Sequence, residues 1–447
     1  MNMFLLHAVL MLALSPFGRA EEVQYYAPCI TPDGKLLAVM ALAPQFSSCG
    51  QAFVSGDGIH FQCISVSDTG SPADDHIIDG LRVSPNGQRM VFFSSAKNLP
   101  PLSAKYRGQN CFVYNTATGK LTMLKSTSPL DGRHLSPMGK RIGFFAQNTD
   151  FLVLANQQFV NTAQPATADY LSIVNVEDDQ VIWEKMFPEL LQPEAVTPDG
   201  RLLIYTSNVH DKGFQLFAYD RTNDTQAIIS ISPKGALANT QAEDTFGGVA
   251  VSADGRYVAF STSAENVSKR DRNQHYDVFV RDRQKNMTTR ISIGRRGKET
   301  NGDSGKEYVG MSADGRYIVF DSNASNLVEG DTNNCKDCFL YDNNTQTITL
   351  ISRAPNGEQF SGYDKGIFRD TAISSDAKLI AFSSIDGRIY LYNRDLGKTA
   401  EFQIILEKYT IEDRIVGKFI VIGIVARCLS KQGMLSGKYL NDSFSFA

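Results

Sequence analysis

The sequence predicts an all-β protein folded as a β-propeller of four-stranded antiparallel blades, with seven blades expected and six as the alternative. The first observation is a repeat: VSADGRYVAFSTSAENV begins at Val251 and MSADGRYIVFDSNASNL begins at Met311. The second is a turn signal that recurs seven times, 52 to 62 residues apart. The third is that strand patterns fill the intervals. A period of tens of residues is typical of a repeat architecture, in which stacked units bury a continuous core.

The turn signal has a consistent chemistry. Ser or Thr and Asp or Asn side chains bond the local backbone, Pro presets φ, and Gly accepts a positive φ. Ala377 stands at the Gly position of the last turn, so a distorted turn is expected there. The seven copies are TPDG at 31 and 197, SPNG at 84, SPMG at 136, SADG at 252 and 312, and SSDA at 374.

A strand pattern follows the turn in the later units: RMVFFS, RIGFFA, RLLIYT, RYVAFS, RYIVFD and KLIAFS. These runs either alternate or are continuously apolar, as half-buried and buried strands do. A shorter run precedes the turn, and two more strands follow it, such as DVFVRD and TTRIS. Four antiparallel strands per unit is the plan of a propeller blade, which leaves only short protected edges. The first unit matches poorly, which is why six blades is the alternative.

The two ends of the chain lie outside this repeat. Residues 1–20 contain an apolar run from Met3 to Leu14, followed by turn and small residues, which is typical of a cleaved signal peptide. The run is shorter than the ~20 residues that a membrane span needs. We therefore expect a periplasmic or secreted protein with a propeller at 21–405. Residues 406–447 contain IVGKFIVIGIVARCL, which suggests ring-closing strands or a strand exchanged with a partner.

Composition and charge exclude some classes of partner. A net charge of −4 provides no broad basic field for nucleic acid or anionic lipid. No stretch after residue 20 is long and apolar enough to span a bilayer, so an integral membrane protein is not expected. Cysteines in an exported chain can form disulfides, and Cys49 and Cys63 are candidates for a bridge across a hairpin. The CKDC motif at Cys335 enters a strand rather than opening a helix, which argues against a redox dithiol.

Several phrases resemble a known family. SADGRYVAF, DVFVRDRQ and EGDTNN are similar to the TolB-like, WD40-like repeats of exported bacterial propellers, and the resemblance covers about residues 25 to 400. It implies a propeller, an exported location and often a binding role. It does not imply one reaction, because this architecture is used by binding modules and enzymes alike.

Two loops share the pattern D-x-N-x-x-x-D before the third strand of a unit. Alternating oxygen ligands followed by a carboxylate could hold a hard cation such as Ca²⁺. Alternatively, these side chains form Asx-turns that cap the strand entry. Calcium is favoured in the sixth unit, since Arg272 places a positive charge beside the ligands of the fifth. The candidate ligands are Asp271, Asn273 and Asp277 in the fifth unit and Asp331, Asn333 and Asp337 in the sixth.

No catalytic residue is assigned. The chain has no G-x-S-x-G elbow, and its histidines after the signal region are far apart in sequence, at positions 60, 76, 134, 210 and 275. The sequence therefore predicts a non-catalytic exported propeller that binds a protein, a peptide or an envelope component on its face or in its channel. The alternative is a lyase or hydrolase that acts on a polysaccharide or peptide, with histidines converging from several blades. Bound Mn²⁺ or Zn²⁺ would favour that enzyme.

Overall fold

The computed structural model describes residues 24–421 except for a set of internal segments, and every structural statement below concerns the described residues. The ranges that it does not cover are 1–23, 32–34, 43–46, 57–61, 85–86, 101–109, 125–132, 136–150, 159–167, 176–179, 188–190, 210–211, 241–245, 270, 361–366, 385–387, 403–405, 408–419 and 422–447.

Seven four-stranded antiparallel sheets follow one another along the chain, and each is formed by consecutive strands. The prediction of a seven-bladed all-β propeller is therefore confirmed. The first three blades are β1 (Gln24–Ile30), β2 (Leu37–Leu42), β3 (Gln51–Ser55) and β4 (Gln62–Cys63); β5 (Ile77–Val83), β6 (Arg89–Ser94), β7 (Asn110–Asn115) and β8 (Lys120–Met123); and β9 (Arg133–Leu135), β10 (Phe151–Gln158), β11 (Ala168–Asn175) and β12 (Gln180–Phe187).

The remaining blades follow the same plan. Helical structure in the described ranges is limited to a 3₁₀ turn at Arg295–Gly297. The fourth to seventh blades are β13 (Leu191–Val196), β14 (Leu202–Val209), β15 (Gly213–Asp220) and β16 (Thr225–Ile228); β17 (Val249–Val251), β18 (Tyr257–Thr262), β19 (Asp277–Asp282) and β20 (Met287–Arg290); β21 (Ser304–Met311), β22 (Tyr317–Ser322), β23 (Asp337–Asp342) and β24 (Thr347–Leu350); and β25 (Ile367–Ile373), β26 (Leu379–Ser384), β27 (Ile389–Asn393) and β28 (Lys398–Phe402).

Hydrophobic packing between blades closes the ring. Seven buried clusters fill the seven contacts between neighbouring blades. The contact that closes the ring joins Ile30 and Phe53 of the first blade to Ala381 and Leu391 of the seventh. Consecutive first strands also touch, β13 with β17, β17 with β21, β21 with β25, and β25 with β1, so the first strands surround the axis. Within the described part of the chain, side-chain packing joins the first and last blades.

The predicted turn signal has one geometry in several blades. Ser252 Oγ donates to Asp254 Oδ1 at 2.6 Å and accepts from the amide of Tyr257 at 2.9 Å, and Gly255 has a φ of +71°. The turn that begins at Ser374 makes the same bonds. Ala377 adopts a φ of +55° and keeps the turn hydrogen bond to the Ser374 carbonyl. The expected distortion is therefore absent, because alanine takes the left-handed conformation there.

The antiparallel order of the strands creates two distinct ends of the ring. The turn signals and the hairpins between third and fourth strands lie at one end, here called the turn face. The loops between second and third strands and the connections between blades lie at the other end, here called the loop face. On the turn face, successive blades are linked by the bond from the amide of Ala253 to the carbonyl of Ala313. On the loop face, Asn239 and Asn266 link the fourth and fifth blades.

Some predicted features lie outside the described residues. These include the signal peptide at 1–20 and the strand RIGFFA at 141–146; the second strand of the third blade is β10. Within 406–447 only β29 (Leu406–Glu407) and β30 (Ile420–Val421) are described, and they pair with each other. A ring-closing role for that segment stays a prediction. No helix in the described part of the chain is both long and apolar enough to cross a membrane.

Candidate functional site

The predicted cation ligands of the fifth blade surround an arginine. Oxygen atoms of Asp271, Asp277 and Glu299 lie within 4.8 Å of one another on the loop face. Arg290 Nη1 lies between them, 3.2 Å from Asp271 Oδ1, 3.1 Å from Asp277 Oδ2 and 2.8 Å from Glu299 Oε2. The guanidinium thus occupies the position that a bound cation would need. The positive charge beside these ligands comes from Arg290, whereas the side chain of Arg272 is exposed.

Burial sets the electrostatics of this group. Burial, together with the neighbouring charge of Asp277, raises the pKa of Asp271 to about 7, while the charge of Arg290 opposes the shift. Burial also raises the pKa of Asp277, against the hydrogen bond from Ser292 and the charge of Arg290. Arg290 was not predicted from the sequence, although one signal was present: the sixth unit has the apolar Leu350 at the equivalent position.

The predicted ligands of the sixth blade lack the arginine, because Leu350 lies at its position, but the bonds around the second aspartate match those of the fifth blade. Asn333 Nδ2 donates to Asp337 Oδ2 at 2.8 Å, so the NH₂ end of its side chain, not its carbonyl oxygen, faces the carboxylate. Ser352 Oγ donates to the other oxygen of Asp337. Gln359 Nε2 lies 3.5 Å from Asp331 Oδ1, where the fifth blade has Glu299. Burial raises the pKa of Asp337 to about 6, and the charge of Asp331 adds to that effect.

The carboxylate at the start of the third strand belongs to a junction that recurs around the ring. In the sixth blade Ser352 Oγ donates to Asp337 and accepts from the amide of Cys338 at 2.9 Å. In the first and fourth blades a glutamine takes the place of the aspartate as the acceptor: Ser65 donates to Gln51 at 2.6 Å, and Ser230 donates to Gln215 at 2.9 Å. In the fifth blade Ser292 donates to Asp277 in the same way. This position therefore joins the third and fourth strands whether or not a ligand is present.

These raised pKa values predict how stability depends on pH. Asp337 and Asp321 have folded pKa values of about 6 and Asp271 of about 7, against 3.8 when unfolded. Between those values the folded state holds more protons, so stability falls as pH rises from about 4 to 7. We expect a higher Tm at pH 5.5 than at pH 7.5. Asp337→Asn should reduce the total loss of stability between pH 4 and pH 7 by up to about 3 kcal/mol, at 1.36 kcal/mol per pKa unit. An unchanged slope would contradict this account.

The calcium hypothesis for the sixth blade has a direct test. If Ca²⁺ binds between Asp331 and Asp337, chelation should lower the Tm of the wild-type protein, because a ligand of the folded state stabilises that state. The double variant Asp331→Asn, Asp337→Asn should lose this response. The fifth blade should contribute little, because Arg290 already neutralises its carboxylates. If chelation does not change the Tm of the wild-type protein, the aspartates are strand caps.

A second polar group, here called the rim cluster, lies where the sixth blade meets the channel. It consists of His275, Asp303, Lys306, Glu307 and Lys336. Asp303 Oδ1 lies 3.2 Å from His275 Nδ1, and its Oδ2 accepts from Lys306 Nζ at 3.2 Å. Lys336 Nζ lies 2.8 Å from Glu307 Oε1. Burial favours a raised pKa for Asp303, but hydrogen bonds from the Tyr276 amide and Lys306 outweigh it and lower the pKa.

Hydrogen bonds to Asp321 hold the backbone that carries the rim cluster. β21 is irregular between Ser304 and Val309, and the carboxylate of Asp321 accepts the amides of Tyr308 at 2.8 Å and Glu307 at 3.3 Å within that irregularity. Lys306 and Glu307 are thereby held at the edge of the channel. No pattern within the repeat identified these residues, because the equivalent of Asp321 in the fifth blade is Ser261.

The channel interior is reached by side chains from several blades. Tyr308 of the sixth blade interacts electrostatically with Arg82 of the second and Cys29 of the first. Burial raises the pKa of Tyr308 and of Cys29, while the charge of Arg82 opposes both shifts. The ring of Tyr308 lies against Gly310, where an added Cβ would meet its hydroxyl. These first strands therefore approach one another at the axis.

The cysteines in the described residues are free thiols. The predicted bridge between Cys49 and Cys63 is therefore not formed: Cys63 is buried against Ser65, and Cys49 lies at the surface near Asp74. Burial raises the pKa of Cys338 well above its usual value, which opposes thiolate formation. This environment agrees with the prediction that the CKDC motif is not a redox dithiol.

Comparison with known proteins establishes the fold. The propeller domain of the Trilobed protease from Pyrococcus furiosus, described as having an open velcro topology, matches with a TM-score of 0.52 at 10% identity, over 86% of this chain and 97% of that domain. Pyrococcus horikoshii acylaminoacyl peptidase matches with a TM-score of 0.51 at 9% identity, over 88% of this chain. The chain spans 57% of that peptidase's length.

An oligogalacturonate lyase from Vibrio parahaemolyticus matches with a TM-score of 0.49 at 11% identity, over 84% of this chain and 91% of that one. No protein-family profile matches the chain. No curated protein matches it either. At identities near 10% the structural likeness shows a β-propeller and assigns no activity.

Proposed function

We propose that this chain is an exported, non-catalytic propeller of the TolB-like kind, which binds a protein or peptide on its loop face. The observation that supports this most is the rim cluster. It presents both signs of charge and a histidine at the edge of the channel, on a backbone that Asp321 holds in place. Exported location and TolB-like kinship rest on the sequence alone.

The chemistry of the rim cluster suits a polypeptide ligand. Lys306 is 52% exposed, and its ammonium lies 5.0 Å from the centre of the Tyr276 ring. His275 and Glu307 are partly exposed beside it. Such a group offers donors, acceptors and an aromatic surface within a small area, as the polar rims of protein interfaces do. A fixed backbone lowers the entropy that binding costs.

A capture experiment with matched variants tests the proposal. The purified chain is used as bait in envelope extract, with chemical crosslinking, as wild type, Lys306→Glu and Lys285→Glu. Lys285 is an exposed lysine in the β19–β20 hairpin on the turn face. We expect one partner to be captured by the wild type and by Lys285→Glu, and to be reduced at least fivefold with Lys306→Glu. Equal capture by all three baits, or capture of no partner, would contradict binding at the rim.

Metal analysis of the pure protein separates this function from the enzyme alternative. Stoichiometric Mn²⁺ or Zn²⁺, together with cleavage of a polysaccharide or peptide, would favour a lyase or hydrolase. Absence of those metals and of turnover, together with the capture pattern above, supports a binding protein.

A further inference from the structure

The loop face of the fifth blade carries five exposed basic side chains, here called the basic patch: Lys269, Arg272, Arg295, Arg296 and Lys298. They lie on two loops that contact each other. Asn273 Nδ2 of one loop donates to Thr300 Oγ1 of the other at 2.8 Å, and Arg290 binds a carboxylate of each. The patch is separate from the rim cluster and from every residue assigned above. In a chain with a net charge of −4, it concentrates positive charge on one blade.

The fold does not require these basic residues. In the turn after β20, the amide of Gly294 donates to the carbonyl of Lys298 at 2.9 Å. The first, fourth and sixth blades close their turns with the same bond, from the amides of Ser67, Ser232 and Ala354 to carbonyls four residues later. Among these four turns, the fifth-blade turn is distinguished by a positive φ at its middle residue, Arg296, of +61°. The sequences of those turns are SDTGS, SPKGA and APNGE, against GRRGK in the fifth blade. Only the glycine is shared by all four.

The sixth blade gives a matched comparison, because it repeats the fifth at an offset of 60 residues. None of its equivalent positions is basic, and two are acidic. They are Glu329, Thr332, Pro355, Asn356 and Glu358, in the order of the basic patch. The equivalent positions on neighbouring blades therefore differ in charge, and the bond that closes the turn does not require a basic residue at any of them.

The basic patch is rigid and mostly unpaired. The amide of Arg295 donates to the Asn326 carbonyl at 2.9 Å, and Asn326 Nδ2 donates to the Glu299 carbonyl at 2.7 Å, so the turn is bound to the sixth blade. Arg295 alone has a carboxylate partner in the described part of the chain, the Oε2 atom of Glu329 at 2.9 Å, and Glu329 is 83% exposed. An exposed ion pair of this kind contributes about 0–1 kcal/mol and is readily replaced.

We propose that the basic patch binds a short acidic segment of a protein partner. This rests on the proposed protein-binding function and names a second contact for it. A broad anionic surface, such as a membrane, would also meet Glu329 and Glu358 on the next blade and be repelled. A short segment can lie on the two basic loops alone. Ile293, which is 39% exposed beside the patch, offers an apolar contact for it.

The test uses the full chain and a fluorescent peptide of five glutamates and one leucine. Binding is measured by fluorescence anisotropy at low and high salt, with a peptide of five glutamines and one leucine as comparison. One variant removes the positive charge of the fifth-blade turn, Arg295→Ser, Arg296→Asn and Lys298→Glu; serine keeps the amide of residue 295 that donates to the Asn326 carbonyl, and asparagine tolerates the positive φ of Arg296. We expect the acidic peptide to bind the wild type, and the turn variant to bind at least tenfold more weakly with an unchanged Tm. Lys285→Glu should bind as the wild type does.

Three results would overturn the proposal: no preference for the acidic peptide, equal binding by the turn variant, or tighter binding to phosphatidylglycerol vesicles than to the peptide. The outcome is distinguishable from that of the capture experiment. If the turn variant still captures the partner and Lys306→Glu does not, binding at the rim cluster is supported and the proposed role of the basic patch is contradicted. If the acidic peptide binds and no partner is captured, the proposed role of the basic patch is supported and binding at the rim cluster is contradicted.

Discussion

Gly315→Val is expected to destabilise the protein by about 2–6 kcal/mol. Gly315 has a φ of +72°, where a β-branched residue costs ~1–3 kcal/mol. An added Cβ would also lie 2.4 Å from Cδ2 of Tyr257, on the preceding blade. The ring of Tyr257 is covered by the guanidinium of Arg256 at 4.7 Å, so it cannot move away freely. Overpacking of this kind adds ~1–3 kcal/mol.

Two other glycines separate the backbone effect from the packing effect. Gly255 has a similar φ, but its added Cβ would lie 3.0 Å from the end of the flexible Leu202 side chain. Gly357 has a φ of +83° and no atom within 4 Å of an added Cβ. The valine variants should therefore lose stability in the order Gly315, Gly255, Gly357, as measured by urea denaturation. An equal loss at Gly315 and Gly357 would exclude the packing effect, and no loss at Gly315 and Gly255 would show that the turn assignment is wrong.

Arg290→Leu is expected to cost about 3–5 kcal/mol at pH 7.5, because it leaves buried carboxylates without their cation. Arg290 and Asp271 are 9% and 4% exposed, and Asp277 is fully buried. Lowering the pH should restore part of the loss. The pKa of Asp271 is already about 7 with Arg290 present, and the carboxyls protonate more readily without it. The measurement is the difference in Tm between wild type and variant at pH 7.5 and at pH 5.

The sixth blade supplies the control for this prediction. It has Leu350 in place of Arg290 and Gln359 in place of Glu299, and it keeps both aspartates. The double variant Arg290→Leu, Glu299→Gln copies that arrangement and should lose clearly less stability than Arg290→Leu at pH 7.5. Equal losses by the single and double variants, or a loss that does not depend on pH, would show that charge is not the cause.

Much of the fold could be predicted because it is encoded locally. The turn at Ser252 and the turn at Ser312 are each formed by side chains within six residues, and each is followed by a short apolar run that forms a buried strand. Seven such turns predicted seven blades. The turn at Ala377 was expected to be distorted, and it is regular, because the cost of a left-handed alanine is small beside the bonds that Ser374 and Asp376 make.

The site residues were only partly predictable, since their neighbours come from distant parts of the chain. The pattern D-x-N-x-x-x-D placed Asp277 and Asp337 at the entry to the third strands, and they are the first residues of β19 and β23. It did not reveal that Ser292 and Ser352, each 15 residues later, fix these carboxylates. Nor did it reveal that Gln51 makes the same bond in the first blade. The shared role appears only when the blades are compared in space.

The sequence by itself determined the blade plan, the turn positions and the loops on which polar side chains gather, because these depend on residues near one another in the chain. Only the tertiary structure decided which charges meet. It placed Arg290 among three carboxylates, joined His275 to Asp303 across two loops, and left the side chains of Arg296 and Lys298 exposed on the loop face. The physical reason is that an electrostatic interaction depends on distance and burial, and the packing of blades sets both.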